Sequence, residues 1–486
     1  MTSPQFITTK RSQTAPRVPR LSPDASTAHL IGVCGSGMRA LAELLIGLGW
    51  RVTGSDLTAP SSSTLRAMQK RGLRFHRGHD DRFLPRDVDV VVHSPAVGVA
   101  NPERQLAHQL RIPVLSYSKM LGLLMENGVG VAIAGTHGKS TTTAMVAAIL
   151  TEAGLSPSAV IGAELKDRKV SGWVGKGDLF VVESCEYQNS FLDLKPKYAC
   201  ILGIEPDHFD CFASLDDLIE AFARFSGQVA PDGLLLVNGD CTESMAASQR
   251  AKSSVVTFSR HPGADWWAAD LRTTDAGTRF RVFRREEFFA EIEVALPGEH
   301  NVTNALAAIA MSHHAGASVE AIRECLWQFT GIKRRFDHIG SYRGVTLIDD
   351  YAHHPTAVAA TLQTARAKFG RRRIWCAFQP HQSSRTAALM SEFSSSFGDA
   401  DEILIAPTFA ARESMGDEPE TTAEQLACEI VGGGQNARFC GSLDRVVATL
   451  DDEAQPGDVL ITMGAGDINR VQNEFTRRLQ RHHPSR

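Results

Sequence analysis

Gly135-Thr136-His137-Gly138-Lys139-Ser140-Thr141 combines the residue types that hold phosphate. The N–H groups of a glycine loop that ends at a helix N-terminus point at an anion. Lys139 adds a point charge for the outer phosphates, and the Ser140 hydroxyl is a ligand for magnesium. Only Thr136 and His137 separate Gly135 from Gly138, so the loop is shorter than the common form. An apolar run precedes it and a helix-forming run, Ala144 to Leu150, follows. That context favours a nucleoside triphosphate over a bland turn.

Carboxylates follow at the right places. Asp178 to Glu183 reads as an apolar strand ending in Glu183, with Glu186 as a second acidic candidate. A carboxylate at such a strand end holds magnesium directly or through water. The next strand, Tyr198 to Ile204, runs into Glu205-Pro206-Asp207-His208. His208 beside Asp207 at a strand end favours a metal or phosphate role over a surface histidine. Asn301 and Asn304 share a face at the start of an Ala-rich helix. Asn301 reads as a helix cap, and the pair can also grip a base or phosphate. Further on, Asp349 and Asp350 end a strand and lead into Tyr351-Ala-His353-His354-Pro355. The adjacent histidines point apart and are poor joint ligands. Gln379-Pro-His381-Gln382-Ser-Ser-Arg385 and Gly464-Ala-Gly-Asp-Ile468 close two more strands.

A second glycine-rich turn lies near the N-terminus. His29 to Val33 reads as a strand, and Gly32, Gly35 and Gly37 follow in a G-x-x-G-x-G order. Asp56 lies just past the next strand, and His79 sits in a loop after Gly78. A pyrophosphate fits such a βαβ turn. The order differs from the dinucleotide fingerprint, so a nucleotide diphosphate other than NAD is the favoured ligand. An NAD-dependent oxidoreductase is the reading from a different class, and helix–strand packing is the bland one.

These residues need parallel sheets to position them. Strands alternate with helices through most of the chain, and the polar clusters fall at strand C-termini, where α/β sheets put ligands. Residues 253 to 295 change character and suggest an antiparallel meander. Domain bounds are expected at 28–119, 120–331 and 332–486, behind a disordered tail over 1–27 that is rich in Ser, Thr, Pro and Arg. At 486 residues the chain can build several cores. A net charge of -4 implies no general affinity for nucleic acid or an anionic membrane. No apolar run approaches a membrane span. The nine cysteines include no C-x-x-C pair, so spacing suggests neither a zinc site nor a disulfide framework, and a reducing cytoplasm fits.

Nine motifs in order resemble the Mur ligase family from about residue 28 to the C-terminus. They are Gly32–Met38, Gly54-Ser-Asp56, Gly135–Thr143, Glu205–His208, His300–Asn304, Arg334–Asp337, Asp349–Pro355, Gln379-Pro-His381 and Gly464–Ile468. The resemblance implies a three-domain α/β architecture: a Rossmann-like UDP-sugar-binding domain, a P-loop ATP-binding domain and a Rossmann-like C-terminal domain. It implies ATP-dependent ligation of L-alanine to the lactyl carboxylate of UDP-N-acetylmuramate through an acyl phosphate, a cytoplasmic step of peptidoglycan synthesis. A recycling member that adds a tripeptide to the same sugar is the alternative within the family. The implied groups are magnesium and ATP, on a monomer or weak homodimer. By resemblance, Lys139 contacts the γ-phosphate, Ser140 and Glu183 hold one magnesium ion and His208 a second. Asn301 and Asn304 lie at the adenine, Arg335 at ATP phosphate and Asp350 at ribose. Gly35, Ser36, Gly37, Asp56 and His79 fall on the UDP moiety, and His354, His381 and Arg385 on the amino acid, with Arg412 as another possible donor. Four positions depart from the family pattern: Ser140 for Thr, Cys185 within Glu183–Glu186, Gly203 for Asn and Gln382 for Arg. Residues 209 to 230 hold no lysine, so no carbamylated lysine is expected. A hinge is expected near 330.

Overall fold

The structure is a computed structural model that describes residues 27–60, 62–274, 277–410 and 421–481. The expected tail to residue 26 and Arg412 lie outside these. Among the described residues, three sheets carry the chain. Residues 27–34 with 45–117 form one compact unit, and 35–44 with 118–481 form the other.

The first unit holds a five-stranded parallel sheet. Its order is Arg74–Arg77, Arg51–Asp56, Thr27–Ile31, Val90–His93, Val114–Ser116. Thr27, expected as the last tail residue, is already in register with Arg51. Its N–H donates to Asp89 Oδ2 at 2.8 Å, and Asp89 N–H returns a bond to its hydroxyl at 3.0 Å. Those bonds begin the strand two residues earlier than hydrophobicity alone suggests.

The second unit contains two sheets. The strand Val129–Ala134 lies inside a ten-stranded sheet between Tyr198–Ile201 and Leu179–Glu183, all parallel. This order brings the phosphate loop, the end of the Glu183 strand and the Glu205–His208 loop to one edge. Helices Lys139–Glu152 and Glu299–His314 pack against each other and against that sheet, and the apolar side chains of both are almost wholly buried. A helix that is apolar all round belongs in such a core. The region from 253 is only partly the expected meander. Ser254–Ser259 pairs parallel with Leu234–Asn238 and extends the nucleotide sheet. Antiparallel pairing begins with Trp266–Thr273 and continues through Thr278–Arg284 and Glu287–Val294. Val255 and Val256 are β-branched in either setting, so alternation could not tell the direction of pairing.

The third sheet has six strands in the order Asp337–Tyr342, Val345–Asp350, Val459–Met463, Ile374–Phe378, Glu402–Ile405, Ala437–Phe439. Only the first is antiparallel. The central strands are buried along their whole length, as a sheet covered on both faces requires. Gly331, at φ +88°, marks the passage into this part.

Candidate active site

The phosphate loop is held from beneath. Thr136 N–H donates to the Gly203 carbonyl at 2.8 Å, and Glu205 N–H donates to the Thr136 hydroxyl at 2.9 Å. Glycine in place of asparagine at 203 leaves that carbonyl bond intact. Gly138 has φ +77°, and a Cβ there would stand 2.2 Å from Asn304 Oδ1. Only glycine meets both demands without strain.

Lys139 is the centre of the local charge. Its Nζ donates to the Gly135 carbonyl at 2.5 Å and to both oxygens of Glu186 at 2.9 Å. Burial works against the ammonium, and the Glu186 carboxylate outweighs it, so the lysine pKa is raised. Glu186 is 1% exposed; burial pushes its pKa up, and Lys139 and His208 bring it below the usual range. His208 Nε2 lies 3.3 Å from Glu186 Oε1. Lys139, Glu186 and His208 thus form a close polar cluster beside the loop. The spacing of residues did not rank Glu186 above Glu183; the fold does.

Glu183 closes its strand as expected, but one oxygen is already used. Its Oε2 accepts the Gly162 N–H at 2.6 Å. Ser140 sits in the first turn of the buried helix, 5% exposed. His208 Nδ1 is buried without a hydrogen-bond partner, which leaves a donor nitrogen for a cation. The Ser140 hydroxyl and the Glu183 carboxylate are oxygen donors of the kind magnesium takes, and the His208 imidazole is a separate donor.

Asn301 is not the helix cap. Gly298 takes that position, and Asn301 lies inside the helix, its Nδ2 donating to the Pro297 carbonyl at 2.7 Å. Asn304 Nδ2 donates to Asn301 Oδ1, and Thr142 donates to Asn304 Oδ1. The two amides brace the phosphate-loop helix.

Several other expected site residues also have structural partners. Asp350 accepts from Phe336 N–H at 2.6 Å and Ala352 N–H at 2.7 Å, so its carboxylate organises the loop around Arg335. Arg335 lies over the Tyr351 ring at 4.9 Å. Arg385 does not present an open fork: its Nε and Nη2 both donate to Asp207 Oδ1, at 2.8 and 2.5 Å. His381 Nδ1 lies 3.3 Å from Arg385 Nη1. His353 and His354 diverge as expected, one to the Tyr351 carbonyl and the other to the Pro206 carbonyl. Gln382 is 2% exposed at φ +67°.

In the first unit, His79 packs on a carboxylate that motif reading did not single out. Its Nδ1 is 3.0 Å from Glu103 Oε1 and 3.1 Å from the Ser55 hydroxyl. Glu103 also meets His29 Nε2 at 2.5 Å and accepts from Ser55 at 2.7 Å. Both Glu103 and His29 are fully buried. Behind Asn101-Pro102, Glu103 reads as an ordinary acidic first-turn residue, which hides it. Asp56 accepts the Cys34 N–H at 2.9 Å and the Thr58 N–H at 3.1 Å. In the other unit, the Gly35 carbonyl accepts from Arg39 N–H, and Ser36 and Gly37 open helix Ser36–Gly47.

Three family models match in chain order: Mur ligase family, catalytic domain, over 27–128; Mur ligase middle domain over 133–312; and Mur ligase, glutamate ligase domain, over 334–466. A UDP-N-acetylmuramate–L-alanine ligase of Desulfitobacterium hafniense is 39% identical over 449 residues, 91% of this chain and 98% of that protein. One from Myxococcus xanthus is 40% identical over 452 residues, 93% and 94% of the two chains. The chain belongs to the Mur ligase family.

This Mur ligase is accordingly an ATP-dependent ligase of three α/β domains. The crystal structure of UDP-N-acetylmuramate–alanine ligase from Thermotoga maritima superposes with a TM-score of 0.80 at 26% identity, covering 94% of this chain and 100% of that one. A murein peptide ligase from Psychrobacter arcticus shares the fold, with a TM-score of 0.72 at 24% identity. Among the described residues, no helix is long and apolar enough to cross a membrane.

Proposed function

We propose that this Mur ligase joins L-alanine to UDP-N-acetylmuramate at the expense of ATP. The observation that carries the reading is its near-full-length match to ligases of that activity. The first domain, 28–119, takes the UDP-sugar through Gly35, Ser36, Gly37, Asp56 and His79. The second, 120–331, takes ATP at residues 135–141, with Asn301 and Asn304 near the base. The third, 332–486, supplies Arg335 and Asp350 toward ATP and receives the amino acid near His354, His381 and Arg385.

The chemistry needs no protein nucleophile. A lactyl carboxylate oxygen attacks the γ-phosphorus, the bond to the β–γ bridging oxygen breaks, and ADP leaves. The neutral amine of alanine then attacks the acyl carbon, the carbon–oxygen bond to phosphate breaks, and an amide and inorganic phosphate form. What the chain supplies is alignment and charge neutralisation. Lys139 leaves Glu186 for the γ-phosphate and stays with it as charge moves to the bridging oxygen. Arg335 adds a second cation from the third domain. Ser140 and Glu183 would hold one magnesium ion and His208 a second, and the ions would neutralise phosphate charge when bound.

Two measurements test this. ADP release should require UDP-N-acetylmuramate and respond to L-alanine above other amino acids. Hydroxylamine should trap a hydroxamate of the sugar nucleotide when L-alanine is left out. Production of AMP and pyrophosphate would overturn the acyl-phosphate route.

A further inference from the structure

Three residues from distant segments meet beside the phosphate loop. His137 belongs to that loop, Glu205 follows the strand Tyr198–Ile201, and His354 caps helix Pro355–Phe369. One ligating atom from each lies within 4.8 Å of the others. His137 Nε2 is 3.4 Å from Glu205 Oε2, and His354 Nδ1 is 3.7 Å from the same oxygen. Ligand bonds of about 2.0–2.2 Å at tetrahedral angles put ligand atoms about 3.3–3.6 Å apart. The two separations, 3.4 and 3.7 Å, are close to that spacing.

The protonation pattern points the same way. His354 Nε2 faces the Pro206 carbonyl at 3.2 Å, and a carbonyl can only accept, so Nε2 carries the proton. His354 is 4% exposed. Its Nδ1 is buried and without a hydrogen-bond partner. It faces the Glu205 carboxylate oxygen at 3.7 Å, too far for a hydrogen bond. A buried nitrogen left unpartnered in this way is costly by itself and favourable around a cation. An N–H bonded to a backbone carbonyl behind the ring is also how metal-bound imidazoles are oriented. Thr356 donates to Glu205 Oε2 at 2.6 Å and fixes the carboxylate.

We propose that His137, Glu205 and His354 form a binding site for a zinc-class divalent transition-metal ion. Two imidazoles and one carboxylate suit such an ion, whereas magnesium prefers an all-oxygen shell. The fourth position is left to water or a ligand. The site ties the phosphate loop and the Glu205 loop to the helix beginning at Pro355. A bound ion therefore holds these segments together and opposes the parting that nucleotide exchange requires.

The test is cobalt(II) titration of the chelator-treated full-length protein, with magnesium in excess and no nucleotide. One equivalent should develop the intense visible d–d bands of four-coordinate cobalt without thiolate charge transfer, and zinc should displace it. His354→Ala and Glu205→Gln should each weaken binding by at least about 10–100-fold, the loss typical of even an outer-shell partner. His137→Gln provides a third variant should either fail to fold by circular dichroism. Cys185→Ser should leave the spectrum unchanged. The competing location is the cluster of Cys185, Glu186 and His208. Thiolate charge transfer that vanishes in Cys185→Ser would put the ion there and overturn the proposal. So would displacement by magnesium, bands that survive His354→Ala, or no four-coordinate bands at all.

Discussion

Asp207 and Arg385 join the nucleotide-binding sheet to the C-terminal sheet, and Asp207→Asn measures how firmly. The two side chains are 7% and 3% exposed. Asp207 Oδ1 receives three donors: Arg385 Nε, Arg385 Nη2 and the His208 N–H at 2.6 Å. Asparagine keeps an oxygen there but removes the charge, so two charge-assisted bonds become ordinary ones of about half the strength. The guanidinium stays buried without its counter-charge. Breaking a dry pair by removing one partner costs about 3–5 kcal/mol. The protein can limit that loss by letting the C-terminal part swing away until water reaches Arg385. Asp207→Asn should therefore lower urea stability at neutral pH by about 3–5 kcal/mol, or by less with the C-terminal part unfolding as a separate step. Adding Arg385→Met removes the stranded cation, so the double variant should recover much of the loss. A single unfolding step with a loss under about 1 kcal/mol, and a coupling within the additive range of about 0.5 kcal/mol, would refute the reasoning. The contact would then be solvated in solution.

Three other outcomes are expected. Lys139→Ala should cut turnover by several orders of magnitude; it should also destabilise the fold, because the buried Glu186 carboxylate loses its ammonium partner. Near wild-type turnover would remove the loop from the chemistry. Burial pushes the Asp349 carboxyl up to about 6 against the opposing charge of Arg334, so its folded pKa exceeds the unfolded value. Its contribution is full below about pH 4 and is lost as pH rises through about 6, a change of about 3 kcal/mol. Asp349→Asn should flatten stability across that window and exceed wild type at pH 8 in denaturant titrations; an unchanged slope would show that Asp349 does not carry it. Gln382→Arg should lower the Michaelis constant for L-alanine severalfold and leave that for ATP unchanged, because a guanidinium holds a carboxylate with charged parallel bonds. As residue 382 is nearly fully buried, an unchanged alanine constant would mean the new side chain does not reach the acceptor.

By itself the sequence determined the parts with strong local signatures. Glycine spacing, strand–loop–helix order and carboxylates at strand ends gave away the α/β class, the glycine loop ahead of helix Lys139–Glu152 and Glu183 at its strand end, because each depends on backbone geometry within a few residues. The resemblance supplied the three-domain order from motifs in sequence. Tertiary structure alone decided which charges pair. Glu186 rather than Glu183 is the partner of Lys139, since the distance from residue 139 to 186 is closed only by the sheet order. Arg385, which resemblance places at the amino acid, has Asp207 set against it by the fold. Asn301 looked like a cap because helix starts fray into the preceding turn; Gly298, with its positive φ, starts the helix earlier. Glu103 with His29 and His79, and Glu205 with His137 and His354, are likewise invisible in one dimension. Their members are far apart along the chain, and a lone histidine carries no mark of its partner. Such clusters exist only because parallel strands deliver their C-terminal loops to one edge, where charges that are distant in sequence must be neutralised together.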